Sequence, residues 1–376
     1  MTTPDISELH ICSESDPEHP SEDQILSDDE DAKATRRSHE AREAQLAAIE
    51  KQYGLTEIPD SNVDVLPADD ELTGDIPVDT TWIELIHLKI HSLEDLHLEK
   101  FANLESLNLR CNLITSIHGL KYIPNKDSME ELDFYDNRIK HISKYMNEFS
   151  HLQNLDLSFN NIRHMRNLDK LTKLENLYLV QNKITKIDGI ANLTSLTNLE
   201  LGGNRIEQIE GLDTLVNLRQ LWLGQNRIKR LQGLSKLQQL RVLSIQSNSI
   251  DADSLGELQE CQALEEVYLA DNNLCHIDAM PYLPNLTTLD VSGNKLESLP
   301  QHLEKLFPLL TDLWMSRNSL GPTVNALSPA LSGLSRLECI YLESNPCAQD
   351  PLYRRKVQLI LPKIEKIDAL YTKSGV

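Results

Sequence analysis

The sequence predicts an α/β repeat fold: a solenoid of the 22-residue repeat type with a concave parallel sheet, convex short helices or 3-10 turns, and a C-terminal helical cap. The motif L-x-x-L-x-L-x-x-N-x-I/L recurs from Trp82 onward, and its asparagines are 22 residues apart four times running between Asn160 and Asn248. One such unit is too short to bury its own leucines. Neighbouring coils must therefore stack to form one continuous core.

Each repeat is expected to start with a strand and to turn at its asparagine. In L-x-L the two leucines point inward with period two, and the residue between them faces outward. The asparagine side chain can bond backbone groups that would otherwise be unpaired where the chain leaves the strand. A degenerate copy is predicted first, with Ile86-His-Leu88 as its strand and His91 replacing the asparagine. Eleven further copies close with Asn112, Asn137, Asn160, Asn182, Asn204, Asn226, Asn248, Asn272, Asn294, Asn318 and Asn345.

The charge distribution divides the chain. Residues 1–81 carry 22 acidic and 5 basic side chains, whereas residues 82–376 carry 36 and 31. So acidic a segment, with few aromatic residues, cannot bury enough apolar surface to offset the entropy of ordering it. We therefore predict an acidic, largely disordered tail over residues 1–74. A solenoid of about twelve repeats, including its N-terminal cap, follows over 75–345, and a C-terminal cap with an amphipathic helix covers 346–376.

Composition excludes several kinds of partner. The net charge of −22 opposes binding to phosphate backbones or anionic lipids, so we expect no nucleic-acid and no membrane partner. No stretch approaches the roughly 18 uninterrupted apolar residues of a membrane span, and residues 1–9 do not resemble a secretory signal. The six cysteines form no C-x-x-C pair, which is typical of reduced thiols in the cytosol or nucleus.

Motifs for catalysis are missing from the sequence. It contains no phosphate-binding glycine loop, no G-x-S-x-G and no H-E-x-x-H. His87 and His91 form an i, i+4 pair, but they fall across a predicted strand and its turn, where surface histidines are commoner than a metal site. Carboxylates on an open sheet should keep ordinary pKa values because water surrounds them. We expect a protein that is not an enzyme and that needs no metal or cofactor.

The outward residues of the L-x-L segments are the informative ones. The chain is 5% aromatic, yet five of these eleven positions carry Tyr or Trp and four carry Asp or Glu. Aromatic anchors beside carboxylates are typical of protein interfaces, where they act as hot spots and as partners for Lys and Arg. Packing of aromatics along the sheet is the structural alternative. The positions are Asn108, Asp133, Asp156, Tyr178, Glu200, Trp222, Ser244, Tyr268, Asp290, Trp314 and Tyr341.

Residues 82–376 resemble a known family, the leucine-rich-repeat regulatory subunit of protein phosphatase 1, called regulatory subunit 7. The resemblance rests on the 22-residue repeat and on the segments Leu155-Asp-Leu-Ser-Phe-Asn160, Leu199-Glu-Leu-Gly-Gly-Asn-Arg205 and Ile340-Tyr-Leu-Glu-Ser-Asn-Pro346. Asp350-Pro-Leu-Tyr-Arg-Arg-Lys-Val357 is similar to the start of the family's C-terminal cap.

The resemblance implies a leucine-rich-repeat solenoid that binds the catalytic subunit of protein phosphatase 1 through its concave face and controls its activity or maturation. It also implies a nuclear and cytoplasmic protein, monomeric on its own, that can join a second phosphatase inhibitor subunit in a ternary complex. The [RK]-V-x-[FW] motif of other phosphatase 1 regulators is missing, as in the family. Tyr178 and Trp222 replace phenylalanines of the family pattern, and Asp312 replaces a glutamate. By repeat position, the implied partner-binding residues are Asp156, Tyr178, Glu200, Trp222, Asp290, Asp312, Trp314 and Tyr341.

A second family is the alternative. The repeats also resemble the leucine-rich-repeat protein of a spliceosomal particle, a nuclear scaffold that holds an RNA-binding partner. Such scaffolds have about five repeats, whereas this sequence has eleven or twelve. Recovery of either a phosphatase catalytic subunit or splicing proteins from a cell extract would distinguish the two.

Overall fold

The computed structural model describes residues 72–372, and in them one sheet runs the length of the repeats. Its strands follow chain order, each paired with the next, and every pairing is parallel except the antiparallel one between β13 and β14. Most strands are only three residues long. They are β1 Trp82–Glu84, β2 Ser106–Asn108, β3 Glu131–Asp133, β4 Asn154–Asp156, β5 Asn176–Tyr178, β6 Asn198–Glu200, β7 Gln220–Trp222, β8 Val242–Ser244, β9 Glu266–Tyr268, β10 Thr288–Asp290, β11 Asp312–Trp314, β12 Cys339–Tyr341, β13 Lys366–Ile367 and β14 Leu370–Tyr371.

Helical turns lie between strands only where a coil is longer than 22 residues. The coils between Asn160 and Asn248 return to the sheet through turns alone, whereas longer coils carry 3-10 or α-helical segments. The extra residues therefore enter the returning side of the coil. The α-helices are α1 Leu303–Leu306, α2 Ser328–Leu331 and α3 Tyr353–Ile360, and the 3-10 turns are Glu94–Leu96, Leu98–Lys100, His118–Tyr122, Lys126–Ser128, Lys144–Glu148, Ala252–Glu260, Val324–Leu327 and Pro346–Gln349.

The core consists of leucines and isoleucines contributed by every coil. Leu199, in the middle of β6, pairs with the equivalent leucines of β5 and β7 and is fully buried. The strand residues on either side of it are half-buried. This alternation is the one that the L-x-L motif predicts, and it leaves one face of the sheet open.

A ladder of asparagines, nine of them buried and two half-buried, joins each coil to the one before. The Asn204 amide nitrogen donates to the carbonyl oxygens of Leu179 and Leu201, both at 2.9 Å, and its oxygen accepts from the Ile184 N–H at 3.0 Å. The ten other asparagines make the equivalent bonds. Since backbone groups buried without a partner are costly, these side chains are structural, as the sequence indicated.

The predicted strand of the first coil is wrong by three residues. Its strand is Trp82–Glu84, which places Leu88, and not His91, at the asparagine position. Both Ile83-x-Leu85 and Ile86-x-Leu88 fit the apolar pattern, so the pattern could not choose between them. Asn112 fixes the register, because it donates to the Leu85 carbonyl at 2.7 Å and accepts from the Leu88 N–H at 3.0 Å.

The start of the solenoid lies before residue 75. Thr73 is fully buried, and its hydroxyl donates to the Leu96 carbonyl at 2.9 Å. The Lys100 ammonium donates to the Thr73 carbonyl at 2.6 Å. These contacts join Thr73 to the solenoid, although we predicted it in the tail. The rest of the predicted tail, residues 1–71, lies outside the described residues.

The segment after β12 contains the predicted helix. Helix α3 buries Tyr353 and Val357 and packs on the 3-10 turn Val324–Leu327. The Tyr353 hydroxyl donates to an Asp368 carboxylate oxygen at 2.9 Å, and the other oxygen accepts from the Leu342 N–H at 2.9 Å. Leu359, in the same helix, is 74% exposed. Within residues 72–372, no helix has the length and apolar character needed to cross a membrane.

The asparagine ladder generates a stability prediction. Asn204→Ala would leave two buried carbonyls and the Ile184 N–H short of a partner, and each unsatisfied buried group costs about 1–3 kcal/mol. We expect a loss of about 3 kcal/mol or more in the free energy of unfolding, measured by urea denaturation. Asn192→Ala, at an exposed asparagine, is the matched control and should stay within about 0.5 kcal/mol of wild type. Equal losses in both variants would contradict the structural role of the ladder.

Candidate partner-binding site

The last strand residues of β2 to β12 form one continuous row across the open face of the sheet. We call it the outward row, and it contains the eleven residues predicted from the L-x-L motif. Direct register pairs run from Asn108 and Asp133 at one end to Trp314 and Tyr341 at the other. The prediction of these positions is confirmed, but most of the side chains are half-buried, and Asp133 and Ser244 are buried.

Four aromatic side chains of the outward row contact one another. The rings of Trp222 and Tyr268 stack with centroids 6.4 Å apart and an interplanar angle of 18°. Tyr268 lies 6.1 Å from Trp314, and Trp314 lies 6.1 Å from Tyr341 at an angle of 75°. We call these four residues the aromatic cluster. Such offset and edge contacts restrain the rings, so the cluster presents a pre-organised apolar surface.

The spacing of the sheet explains these contacts. Ser244 lies between Trp222 and Tyr268 in the row, and Asp290 lies between Tyr268 and Trp314. Strands lie about 4.8 Å apart, so alternate positions are about 10 Å apart, and large rings can meet over a smaller side chain. At the end of the cluster, the Lys366 ammonium lies 5.2 Å from the Tyr341 ring centroid.

Tyr268 is a central member of the cluster that the family resemblance did not select. It contacts both tryptophans, and its hydroxyl donates to a Glu266 carboxylate oxygen at 2.7 Å. Burial and the neighbouring Glu266 raise the pKa of Tyr268 above its ordinary value. Its place in the outward row was the signal in the sequence. Tyr178 lies in the row on β5, outside the aromatic cluster.

Arg110 partly neutralises the acidic end of the row. Its guanidinium lies 2.8 Å from an Asp133 carboxylate oxygen and 3.7 Å from one of Asp156, and it stacks over the Tyr135 ring at 4.1 Å. The repeat motif could not predict this ion pair, because its three residues lie in three different coils. Asp156 therefore already has a cationic neighbour within the chain, although it was predicted to face a partner.

Two predicted site carboxylates also stabilise turns. Asp156 accepts from the Ser158 N–H at 2.8 Å, and Asp290 accepts from the Ser292 N–H at 2.9 Å. Burial is the main cause that raises the pKa of both carboxyls above the ordinary value. The expectation of ordinary pKa values on this face was wrong for these two residues, because neighbouring side chains of the row exclude water from them.

Glu200 and Asp312 carry charge that is not balanced within the described chain. Glu200 accepts from the Asn198 amide at 3.3 Å, and Asp312 accepts from the Thr311 hydroxyl at 2.8 Å. Among residues 72–372, neither carboxylate has a Lys or Arg nitrogen within 4.0 Å. The same part of the chain holds no group of three or more His, Cys, Asp or Glu side chains that could bind a metal ion. The arrangement suits recognition of a cationic protein surface.

Comparison with known proteins agrees with the repeat architecture. A family model described as Leucine-rich repeat matches residues 256–373, and one described as Leucine Rich repeats (2 copies) matches residues 172–214 and 216–260. An internalin from Listeria monocytogenes has a similar fold, with a TM-score of 0.62, 20% identity and coverage of 86% of this chain and 94% of that one. The chain is therefore a leucine-rich-repeat protein.

Within this class, the relatives include phosphatase regulators. The Saccharomyces cerevisiae protein named Protein phosphatase 1 regulatory subunit SDS22 is 49% identical over 122 residues, and the match spans 32% of this chain and 36% of that protein. Mouse Protein phosphatase 1 regulatory subunit 7 is 54% identical over 43 residues, which are 11% of this chain and 12% of that protein. These matches confirm the resemblance to the leucine-rich-repeat regulatory subunits of protein phosphatase 1.

A relative of the alternative family is also found. The Drosophila melanogaster protein named Probable U2 small nuclear ribonucleoprotein A' is 31% identical over 104 residues, with 28% of this chain and 38% of that protein covered. The matched segments span about a third of the yeast and fly relatives and a smaller part of the mouse one.

Asp290 generates a pH prediction. Its folded-state pKa is raised, so ionisation of the carboxyl opposes folding at neutral pH, and this cost disappears as the pH falls through that pKa. Asp290→Asn keeps the acceptor for Ser292 without the charge. We expect the variant to melt at or above the wild-type temperature at neutral pH, and the difference to shrink in acid.

Asp290→Ala is the control for the turn. It loses the bond from the Ser292 N–H as well as the charge, so it should be about 1 kcal/mol less stable than Asp290→Asn at every pH. Thermal unfolding by circular dichroism, repeated from neutral to acidic pH, measures both variants. A destabilised Asp290→Asn protein whose deficit grows on acidification would overturn the assignment of a buried carboxylate.

Proposed function

We propose that this chain is a non-catalytic regulatory subunit that binds the catalytic subunit of protein phosphatase 1 through the outward row. The names of the yeast and mouse relatives support the identity of the partner. The choice of this surface rests on the aromatic cluster, whose four rings contact one another and are flanked by acidic residues on an open sheet. Control of the phosphatase's activity or maturation is the expected consequence of binding.

The aromatic cluster supplies the apolar part of the proposed interface. Trp and Tyr are enriched at binding hot spots, where they bury large areas at a small cost in side-chain entropy. The neighbouring residues Leu313 and Met315 are fully buried, so the backbone that carries Trp314 is anchored in the core. Contacts between neighbouring rings reduce the entropy that each ring would lose on binding.

Carboxylates supply the charged part of the proposed interface. Glu200 lies between Tyr178 and Trp222 in the row, and Asp312 lies on the same strand as Trp314. Carboxylates without a cationic partner in the described chain favour a basic partner surface and accelerate encounter with it. The proposed partner-binding residues are thus Asp156, Tyr178, Glu200, Trp222, Asp290, Asp312, Trp314 and Tyr341, to which we add Tyr268.

The second candidate is a nuclear scaffold for a ribonucleoprotein partner, as the name of the fly relative suggests. Both candidates are leucine-rich-repeat proteins, so the fold does not separate them. Affinity capture with the full chain as bait does, because it recovers either a phosphatase catalytic subunit or splicing proteins. We expect the phosphatase, and loss of its capture when the aromatic cluster is truncated.

Truncation of the cluster is the direct test. Trp222→Ala and Trp314→Ala should each lose about 2 kcal/mol or more of binding free energy for the purified phosphatase catalytic subunit, measured by isothermal titration calorimetry. The double variant should lose less than the sum, since Tyr268 touches both rings. The control is Lys236→Glu, an exposed change away from the sheet. Wild-type affinity of folded cluster variants, together with failure of Lys236→Glu, would place the interface elsewhere.

Charge reversal tests the electrostatic part. Glu200→Lys should weaken phosphatase binding more than Glu200→Gln does, because it sets a positive charge against the expected Lys or Arg of the partner. Salt should reduce the difference between the two variants, whereas the loss in Trp222→Ala should persist. The measurement is calorimetry at low and high salt. Equal affinities for Lys and Gln at residue 200 would remove Glu200 from the proposed interface.

A further inference from the structure

The turn side of five consecutive coils is strongly basic, although the protein as a whole is acidic. After each asparagine from Asn137 to Asn226, the residues one, three and four positions later are exposed or half-buried. Nine of these fifteen positions carry Arg or Lys, and a single one, Glu207, is acidic. We call the nine the basic edge: Arg138, Lys140, Arg163, Lys183, Lys186, Arg205, Arg227, Lys229 and Arg230.

The basic edge ends abruptly on both sides. The neighbouring coils, which close with Asn112 and Asn248, carry no Arg or Lys at the same three positions. Their residues there are Leu113, Thr115 and Ser116 in the earlier coil and Ser249, Asp251 and Ala252 in the later one. Because adjacent strands lie about 4.8 Å apart, the five basic coils span roughly 20 Å.

The backbone holds the edge in a regular row. In each of the five coils, the residue after the asparagine donates its N–H to a carbonyl of the preceding coil, at 2.8 to 2.9 Å. These residues are Arg138, Asn161, Lys183, Arg205 and Arg227. The Lys183 ammonium also donates to the side-chain oxygen of Asn161 at 2.6 Å, so side chains at this position meet from one coil to the next.

Acids of the described chain hardly neutralise this charge. Lys186 lies 3.7 Å from Glu210, and Arg230 lies 3.5 Å from Asp251, and all four side chains are exposed. Exposed pairs of this kind contribute little. For the other seven basic-edge residues, no carboxylate oxygen lies within 4.0 Å among residues 72–372. Like charges at this spacing repel, so an anionic partner on the edge would be favourable.

The size and composition of the edge favour an acidic protein segment over a nucleic acid. An extended peptide advances about 3.3 Å per residue, so about six residues span the edge. A long polyanion would continue into coils without Arg or Lys at these positions, and the chain's net charge of −22 opposes it. None of the fifteen positions carries Phe, Tyr or Trp, so the edge lacks the rings on which single-stranded bases stack.

We propose that the basic edge is a docking site for a short acidic segment of a partner protein. Carboxylates of the segment pair with the Arg and Lys side chains of successive coils, and the affinity comes from charge density on both sides. The edge shares no residue with the outward row, so the inference does not depend on the phosphatase proposal.

Fluorescence anisotropy with a fluorescein-labelled peptide of ten glutamates tests the site on the full chain. We expect saturable binding at about 50 mM salt that weakens several-fold at about 200 mM. A labelled peptide of ten glutamines should not bind, and a labelled single-stranded DNA of ten nucleotides should bind more weakly. Tighter binding of the DNA than of the glutamate peptide would assign the edge to a nucleic acid and overturn the proposal.

Two triple variants with the same change in net charge locate the site. The first reverses three basic-edge residues and should weaken the glutamate peptide by roughly tenfold or more: Arg138→Glu, Arg163→Glu and Arg227→Glu. The second reverses three exposed arginines elsewhere and should leave the affinity within roughly twofold: Arg219→Glu, Arg336→Glu and Arg355→Glu. Circular dichroism checks that both variants fold.

A second measurement needs no variant. Carbodiimide coupling of the glutamate peptide to the wild-type chain, read by mass spectrometry, should modify Lys140, Lys183, Lys186 and Lys229. Exposed Lys295 and Lys305, on later coils, are the reference lysines and should be spared. Absence of peptide binding, equal affinity of the two triple variants, or coupling spread evenly over the reference lysines would each overturn the proposal.

Discussion

The hydrogen bonds of the buried asparagines are the interaction on which the rest of the molecule depends. Each asparagine amide ties its own turn to the coil before it, as Asn204 does with Leu179 and Ile184. This link keeps consecutive three-residue strands in register, although strands this short contribute little pairing energy alone. The register in turn decides which side chains meet on the open face. The spacing of the rings in the aromatic cluster is therefore set by this one repeated contact.

Much of the fold could be predicted from the sequence, because the repeat encodes it redundantly. The alternation in L-x-L identified every member of the outward row from Asn108 to Tyr341. Where the repeat degenerates, prediction failed. The first strand was misplaced because two apolar triplets fit the motif equally well. The hydrogen bonds of Asn112, which the sequence does not show, select the first of the two.

Side-chain contacts between coils could not be predicted from the sequence. The pairing of Arg110 with Asp133 and Asp156, and the meeting of Trp222 with Tyr268 over Ser244, depend on side-chain conformations in different repeats. The raised pKa of Asp290 likewise follows from burial by its neighbours, which no single repeat reveals. The repeat motif therefore predicted which residues occupy the outward row. The ion pairs and pKa shifts of those residues are seen only in the three-dimensional structure.

The placement of helical turns has a consequence for how such a chain can vary. Coils of 22 residues return to the sheet through turns alone, and longer coils accommodate their extra residues in segments such as Lys144–Glu148 or Ala252–Glu260. Insertions and deletions there change the thickness of a coil without moving its strand. Differences in length between related proteins are then compatible with an unchanged outward row. Selection can act separately on the two sides of every repeat.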